Sequence, residues 1–309
     1  GTTFRPDRAA DAVMLMGQMM QRPRYEGLSV EKKVLLEEIS ECFDEKGREI
    51  EIDNIARALM FPGNAAGHSI DGHPATVRRF ARADLRRHHD TFYCGSNMVV
   101  TIAGPVDCAA TMRAVKRGFG GLPRGVCAVP DDGAPLPRNG PAVKFVSHAG
   151  SQAQLRISFA AFGHTDPRAQ PLQLIRRVLD DGFTTRFQSE LVDKRGLAYE
   201  MWADVDLFDD CGTVEFGASV THGKEARTVR AMLHEASRLA KVGPDAGELA
   251  RAGERFEWAL MQMHDHAASV SEWYGRSLLF GLERRPERVL AQAQAVRPQH
   301  VKRVAAEIF

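Results

Sequence analysis

The feature that most constrains this chain is that it repeats itself. Residues 7–19 (DRAADAVMLMGQM), followed by a second helical stretch at 28–39, have a counterpart in residues 225–237 (EARTVRAMLHEAS), followed by 248–260 (ELARAGERFEWAL). Residues 80–93 (FARADLRRHHDTFY) match 296–309 (VRPQHVKRVAAEIF) in the same order. A helix order that occurs twice predicts two related domains, and 309 residues are ample for two cores. The repeat is uneven. Residues 143–220 precede the matching helix in the second half, but only residues 1–6 do so in the first. After Tyr93 comes an apolar run, NMVVTIAG, whereas the second half stops at Phe309. The expectation is that the front of the first repeat and the last strand of the second lie in another polypeptide, a cleaved fragment or residues outside this sequence.

The periodicity between these landmarks predicts an α+β fold of two repeated domains with mixed or antiparallel sheet packed against helices. Helices are expected at 7–20 with Asp7 as the cap, at 28–39, 53–60, 76–93 and 107–119. Residues 97–103 read as a short buried strand closed by Gly104-Pro105. The densest Pro, Gly and Asp stretch, PDDGAPLPRNGP, sets a linker at 129–141, between domains at 1–128 and 142–309. Beyond it, 143–147 and 154–162 read as strands and 170–179 and 185–193 as helices. A hairpin joins 197–206 to 213–220, followed by helices at 224–241, 245–263, from 269 into the 280s, and at 298–308.

Composition excludes some function classes. Lys+Arg 41 against Asp+Glu 40 leaves a net charge of +1, which gives no electrostatic case for nucleic acid or an anionic membrane. No run approaches the ~18 apolar residues of a membrane span. The five cysteines are scattered with no C-x-x-C, so neither a disulfide framework nor a zinc knuckle is expected, and a cytoplasmic or other reducing compartment fits.

Within 28–39, LSVEKKVLLEEI, Glu31 and Glu38 are seven apart and share one helical stripe with Leu35 and Cys42. A carboxylate on such a stripe is either a solvated rim charge or a ligand aimed at a cation, and residue type alone favours the rim charge, since most helix carboxylates are only solvated. Among histidines, His88 and His89 are adjacent and point about 100° apart on a helix, too divergent to share a metal. His68 and His73 sit in a loop with no third ligand beside them.

Five segments in order resemble the M16 family of zinc metallopeptidases, the insulinase, pitrilysin and mitochondrial processing peptidase group. They are VEKKVLLEEI (30–39), FPGNAAGHSIDG (61–72), FYCGSNMVVTIAGPVD (92–107), FGGLPRG (119–125) and TTRFQSELVDKRGLAY (184–199). The resemblance implies two α+β domains, one a degenerate copy of the other, and peptide-bond hydrolysis at an H-x-x-E-H zinc motif. It implies that Glu38 is the distal Zn²⁺ ligand, with Glu31 behind it, and that Tyr199 contacts substrate and the tetrahedral intermediate. Two departures stand against this. None of the eleven histidines belongs to an H-x-x-E-H or H-E-x-x-H pattern, His234-Glu235 and His264-Asp265-His266 being the nearest approaches. The arginine expected seven residues before Tyr199 is Val192, which neither donates hydrogen bonds nor carries charge, and Arg195 stands at the wrong spacing to replace it. The expectation is therefore a peptidase-like chain, inactive alone and binding no zinc alone. It would pair with a second M16-like chain or with a fragment completing its first domain, and handle peptide or protein substrates. The alternatives are an active zinc endopeptidase whose motif lies outside this sequence, and a structural scaffold subunit.

Overall fold

In a computed structural model, the structure describes residues 1–126, 140–147 and 149–309. The first helices are α1 (Ala9–Gln21), α2 (Leu28–Glu41), α3 (Ile52–Met60), α4 (Pro74–Arg79), α5 (Arg82–Phe92) and α6 (Cys108–Phe119). Strand β1 (Ala153–Ala161) and α7 (Ala169–Leu179) follow, then a π-helical turn at Gln188–Asp193. The chain continues through β2 (Glu200–Leu207), β3 (Gly212–Val220), α8 (Glu225–Val242) and α9 (Ala246–Asp265). It closes with α10 (Ala267–Leu279), α11 (Pro286–Gln294) and α12 (Pro298–Ile308). The fold is α+β, as the alternation of periods predicts.

These elements form two compact units that interleave along the sequence. One comprises Gly1–Ser40, Asp71–Asp131 and Met261–Arg284; the other comprises Glu41–Ile70, Asp132–Leu260 and Arg285–Phe309.

In the first unit α1 packs on α6 through glycine. A Cβ built on Gly17 would overlap the Gly118 backbone carbonyl, so the two helices approach at a distance only glycine allows. His89 Nε2 bonds the Met20 carbonyl at 2.7 Å and holds α5 against the end of α1. The Gly17→Ala variant is expected to lose about 1–3 kcal/mol, since the added methyl meets backbone that cannot swing aside. Thermal unfolding of the variant checks this, and an unchanged midpoint would refute the close approach.

The second unit is built on an antiparallel sheet of order β1-β3-β2. Leu155, Ile157 and Phe159 alternate to one face, and the register brings Ile157 and Ala203 opposite Phe216. That face closes a core with Leu172, Ile175 and Leu179 of α7, Phe187 and Leu191, Met232 and Leu239 of α8, and Val301 and Val304 of α12. On the opposite face Arg156, Gly217 and Trp202 form one row across the three strands. A Cβ on Gly217 would overlap the Trp202 indole, and its absence lets the ring lie across β3, with Arg156 Cζ 4.1 Å from the ring centroid.

Several sequence expectations need correction. Residues 97–103 are not a strand: Met98 has extended backbone (φ −132°, ψ 139°), yet no strand pairs with this run among the described residues, and Val99 and Val100 are exposed. Residues 143–147 likewise form no strand, and Phe145 is 93% exposed. The single helix expected at 76–93 is two. Phe80 leaves the helix at ψ 131°, and Asp84 accepts the Ala81 N–H at 2.8 Å, which starts α5 afresh. Asp7 does not cap α1; its carboxylate is held by Arg5 at 3.0 Å, and the N-cap is Arg8. Helix α11, opened by Pro286 at its first turn, was absent from the expectation. The linker expected at 129–141 lies, up to residue 139, outside the described residues.

Candidate functional site

Helix α2 carries the two acidic candidates. Gly27, at φ +80°, turns the chain into it and accepts the Val30 N–H at 2.8 Å and the Glu31 N–H at 3.0 Å. Ile39 anchors the buried side, and Lys32 Nζ donates to the Phe80 carbonyl at 3.0 Å, tying α2 to the end of α4. Glu31 and Glu38 are both exposed, and neither forms an ion pair among the described residues. Zinc needs at least three protein donors. No group of three or more His, Cys, Asp or Glu able to hold a metal exists among the described residues. The adjacent histidines of α5 have other contacts: His89 Nε2 bonds the Met20 carbonyl, and the His88 ring lies 4.6 Å from that of Phe92. Among the described residues, Glu38 therefore has no companion donors with which to hold zinc.

The second unit carries the other candidates. Leu197 and Ala198 are buried and fix the approach to β2, which leaves the next side chain, Tyr199, 90% exposed. The Tyr199 N–H donates to the Ser219 carbonyl at 3.4 Å, so an exposed ring stands on a backbone held by β3. Val192 is half-buried in the π-helical turn, its carbonyl accepting the Gly196 N–H at 2.8 Å. Arg195 is exposed and, with Leu197, Arg227, Arg230, Ala231 and His234, lines an open hollow of about 410 Å³. Glu31 and Glu38 thus belong to one unit, and Tyr199, Val192 and Arg195 to the other.

Two features were missed in the sequence. Arg227, Arg230 and His234 recur at three- and four-residue spacing along α8, a basic stripe that helical periodicity would have revealed. Arg186, inside the TTRFQSEL segment, is buried and forms a two-pronged ion pair with Glu248, Nε to Oε1 at 2.7 Å and Nη2 to Oε2 at 2.8 Å. Burial pushes the Glu248 carboxyl up, but the Arg186 hydrogen bonds and the Asp245 N–H outweigh it and leave the group below the usual carboxylate range. Asp180, by contrast, is raised, because burial outweighs the Ala203 N–H that donates to it.

Residues 79–256 match the family profile described as peptidase M16 inactive domain. An uncharacterized zinc protease of Streptomyces coelicolor is 26% identical over 302 residues, covering 96% of this chain and 65% of that protein. The mitochondrial-processing peptidase subunit beta of Blastocladiella emersonii is 26% identical over 325 residues, covering 97% of this chain and 66% of that one. The chain therefore spans about two thirds of the length of these curated relatives. A crystal structure of a peptidase M16 inactive domain from Pseudomonas fluorescens superposes with a TM-score of 0.81 at 18% identity, covering 98% of this chain and 72% of that one.

Proposed function

Because the chain belongs to the M16 peptidase family, we propose that it contributes peptide-binding surface to a zinc endopeptidase assembly whose metal-binding histidines come from a second polypeptide. The observation that carries this reading is the pairing of an exposed Tyr199 ring with Val192 seven residues before it. A phenol just before a fixed strand can hydrogen-bond a peptide backbone, whereas valine supplies neither donor nor charge to a developing oxyanion. Such a pair binds a peptide without stabilising the transition state. The 309 residues contain no H-x-x-E-H, in keeping with a histidine pair supplied from elsewhere. The Blastocladiella relative is named as one subunit of a peptidase, and we extend that arrangement to this chain. Two repeated domains, 1–128 and 142–309, belong to the same reading, supported by the repeated helix order.

A second reading rests on α2. Glu31 and Glu38 stand on the exposed side of one helix, where Glu38 would serve as the distal ligand if a segment outside the present sequence brought the histidines.

One experiment separates the two. The complex isolated from its source through a tag on this chain is weighed intact and assayed for zinc-dependent peptide cleavage. A stoichiometric second chain bearing H-x-x-E-H, with cleavage by the complex and none by this chain plus zinc, supports the subunit. A short fragment bearing the motif supports the second reading. A complex without peptidase activity and without the motif overturns both and leaves a scaffold.

A further inference from the structure

The hollow beside α8 has a charge arrangement that peptide handling does not use. Three guanidinium groups, Arg195, Arg227 and Arg230, line it together with His234. Arginine stays charged at any physiological pH, so all three carry positive charge at all times. Neighbouring cations are neutralised: Lys194 pairs with Glu190 at 2.7 Å and Arg238 with Glu235 at 2.9 Å. Arg195, Arg227 and Arg230 form no ion pair with a carboxylate among the described residues; Glu190, held below the usual carboxylate range first by its hydrogen bond from Lys194, also feels the Arg195 charge.

The scaffold under them is fixed. Arg227, Arg230 and His234 project from successive turns of an eighteen-residue helix whose other side, through Met232, Ala236 and Leu239, is buried in the core. Arg195 comes from the turn after the π-helix, and Lys224 Nζ clamps that turn to the head of α8 by donating to the Gly196 carbonyl at 2.7 Å. The arginines are therefore carried by two elements that are already joined, which leaves only their exposed side chains to be ordered on binding.

We propose that this hollow is a phosphate-binding site that takes a small anion bearing a diphosphate group. Each guanidinium offers five N–H donors in a planar fork. Donors arriving from two elements suit the tetrahedral oxygens of phosphate better than the single plane of one carboxylate. A hollow of about 410 Å³ admits a diphosphate and part of whatever it is attached to. Three fixed positive charges exceed what one monoanion would balance. The site is separate from Tyr199 and does not depend on the peptidase reading.

Isothermal titration of the purified chain with pyrophosphate, ADP and citrate, at matched ionic strength, tests it. Saturable binding of pyrophosphate or ADP, with citrate weaker, is the expected result. The order of the two phosphates tells whether the natural ligand is the free anion or a nucleotide. Arg227→Gln and Arg230→Gln are expected to weaken binding about tenfold each. Both residues are exposed, so the variants should keep the parent melting temperature, and circular dichroism verifies that they fold. The proposal is overturned if neither phosphate binds, if citrate binds equally well, or if the folded variants bind as the parent does.

Discussion

Replacing Arg186 with alanine will cost about 3–5 kcal/mol of stability, enough to unfold the second unit at moderate temperature. The guanidinium is only 6% exposed, and it holds both oxygens of Glu248 and, through Nη2, the Gly243 carbonyl at 3.0 Å. Glu248 in turn accepts the Asp245 N–H at 2.9 Å while its own N–H donates to Asp245 Oδ1 at 2.7 Å, the reciprocal cap that opens α9. Removing the arginine strands a half-buried carboxylate with one partner left. Substituting both members by apolar residues, Arg186→Met with Glu248→Leu, should cost much less, because no charge is then left unpaired. The same pair sets a pH dependence. Glu248 has a folded pKa below its unfolded value, so its contribution is complete above the unfolded carboxylate pKa of about 4.3 and is lost as pH falls through the folded value. Urea denaturation at neutral and acidic pH measures both effects. An Arg186→Ala variant within 1 kcal/mol of the parent, with undiminished acid sensitivity, would sink the argument; that threshold is about the worth of a surface pair.

Phe216→Ala is expected to be comparably severe, about 3–5 kcal/mol. Phe216 has no exposed surface and stands on the central strand, with the rings of Phe187, Phe159 and Phe309 at 5.0, 5.3 and 5.6 Å. Those three rings come from three separate segments, so no single neighbour can move in to fill the space. Phe216→Leu keeps most of the volume and should lose roughly 1 kcal/mol. The comparison of the two by thermal unfolding distinguishes a cavity effect from any general intolerance at this position. Equal losses would argue against the packing described.

The particulars show what the sequence could and could not convey. Strands β1, β2 and β3 were legible because their residues alternate, Leu155, Ile157 and Phe159 inward against Gln154, Arg156 and Ser158 outward. Residues 97–103 and 143–147 have equally apolar composition, but a strand also requires a partner, and pairing is a property of the whole sheet. The break at Phe80 escaped because Asp84 reads as an ordinary helical residue until its carboxylate is seen on the Ala81 N–H. The M16 resemblance correctly gave the family and the fold. It singled out Tyr199, whose exposure only the structure reveals. It passed over the hollow at Arg195, since that site depends on a turn and a helix about thirty residues apart being clamped together by Lys224.

Helix α12 bears on how such a chain is made. Val301, Val304 and Ala305 have no exposed surface, and Phe309 meets Phe159 edge-to-face with ring centroids 4.9 Å apart. Of the described segments that share this core, α12 comes last in the chain. The sheet, α7 and α8 leave the ribosome with their apolar side incompletely covered and stay so until α12 emerges. During that interval, chaperone capture competes with closure of the nascent domain, and the pace of translation through α9 to α11 sets how long the contest lasts.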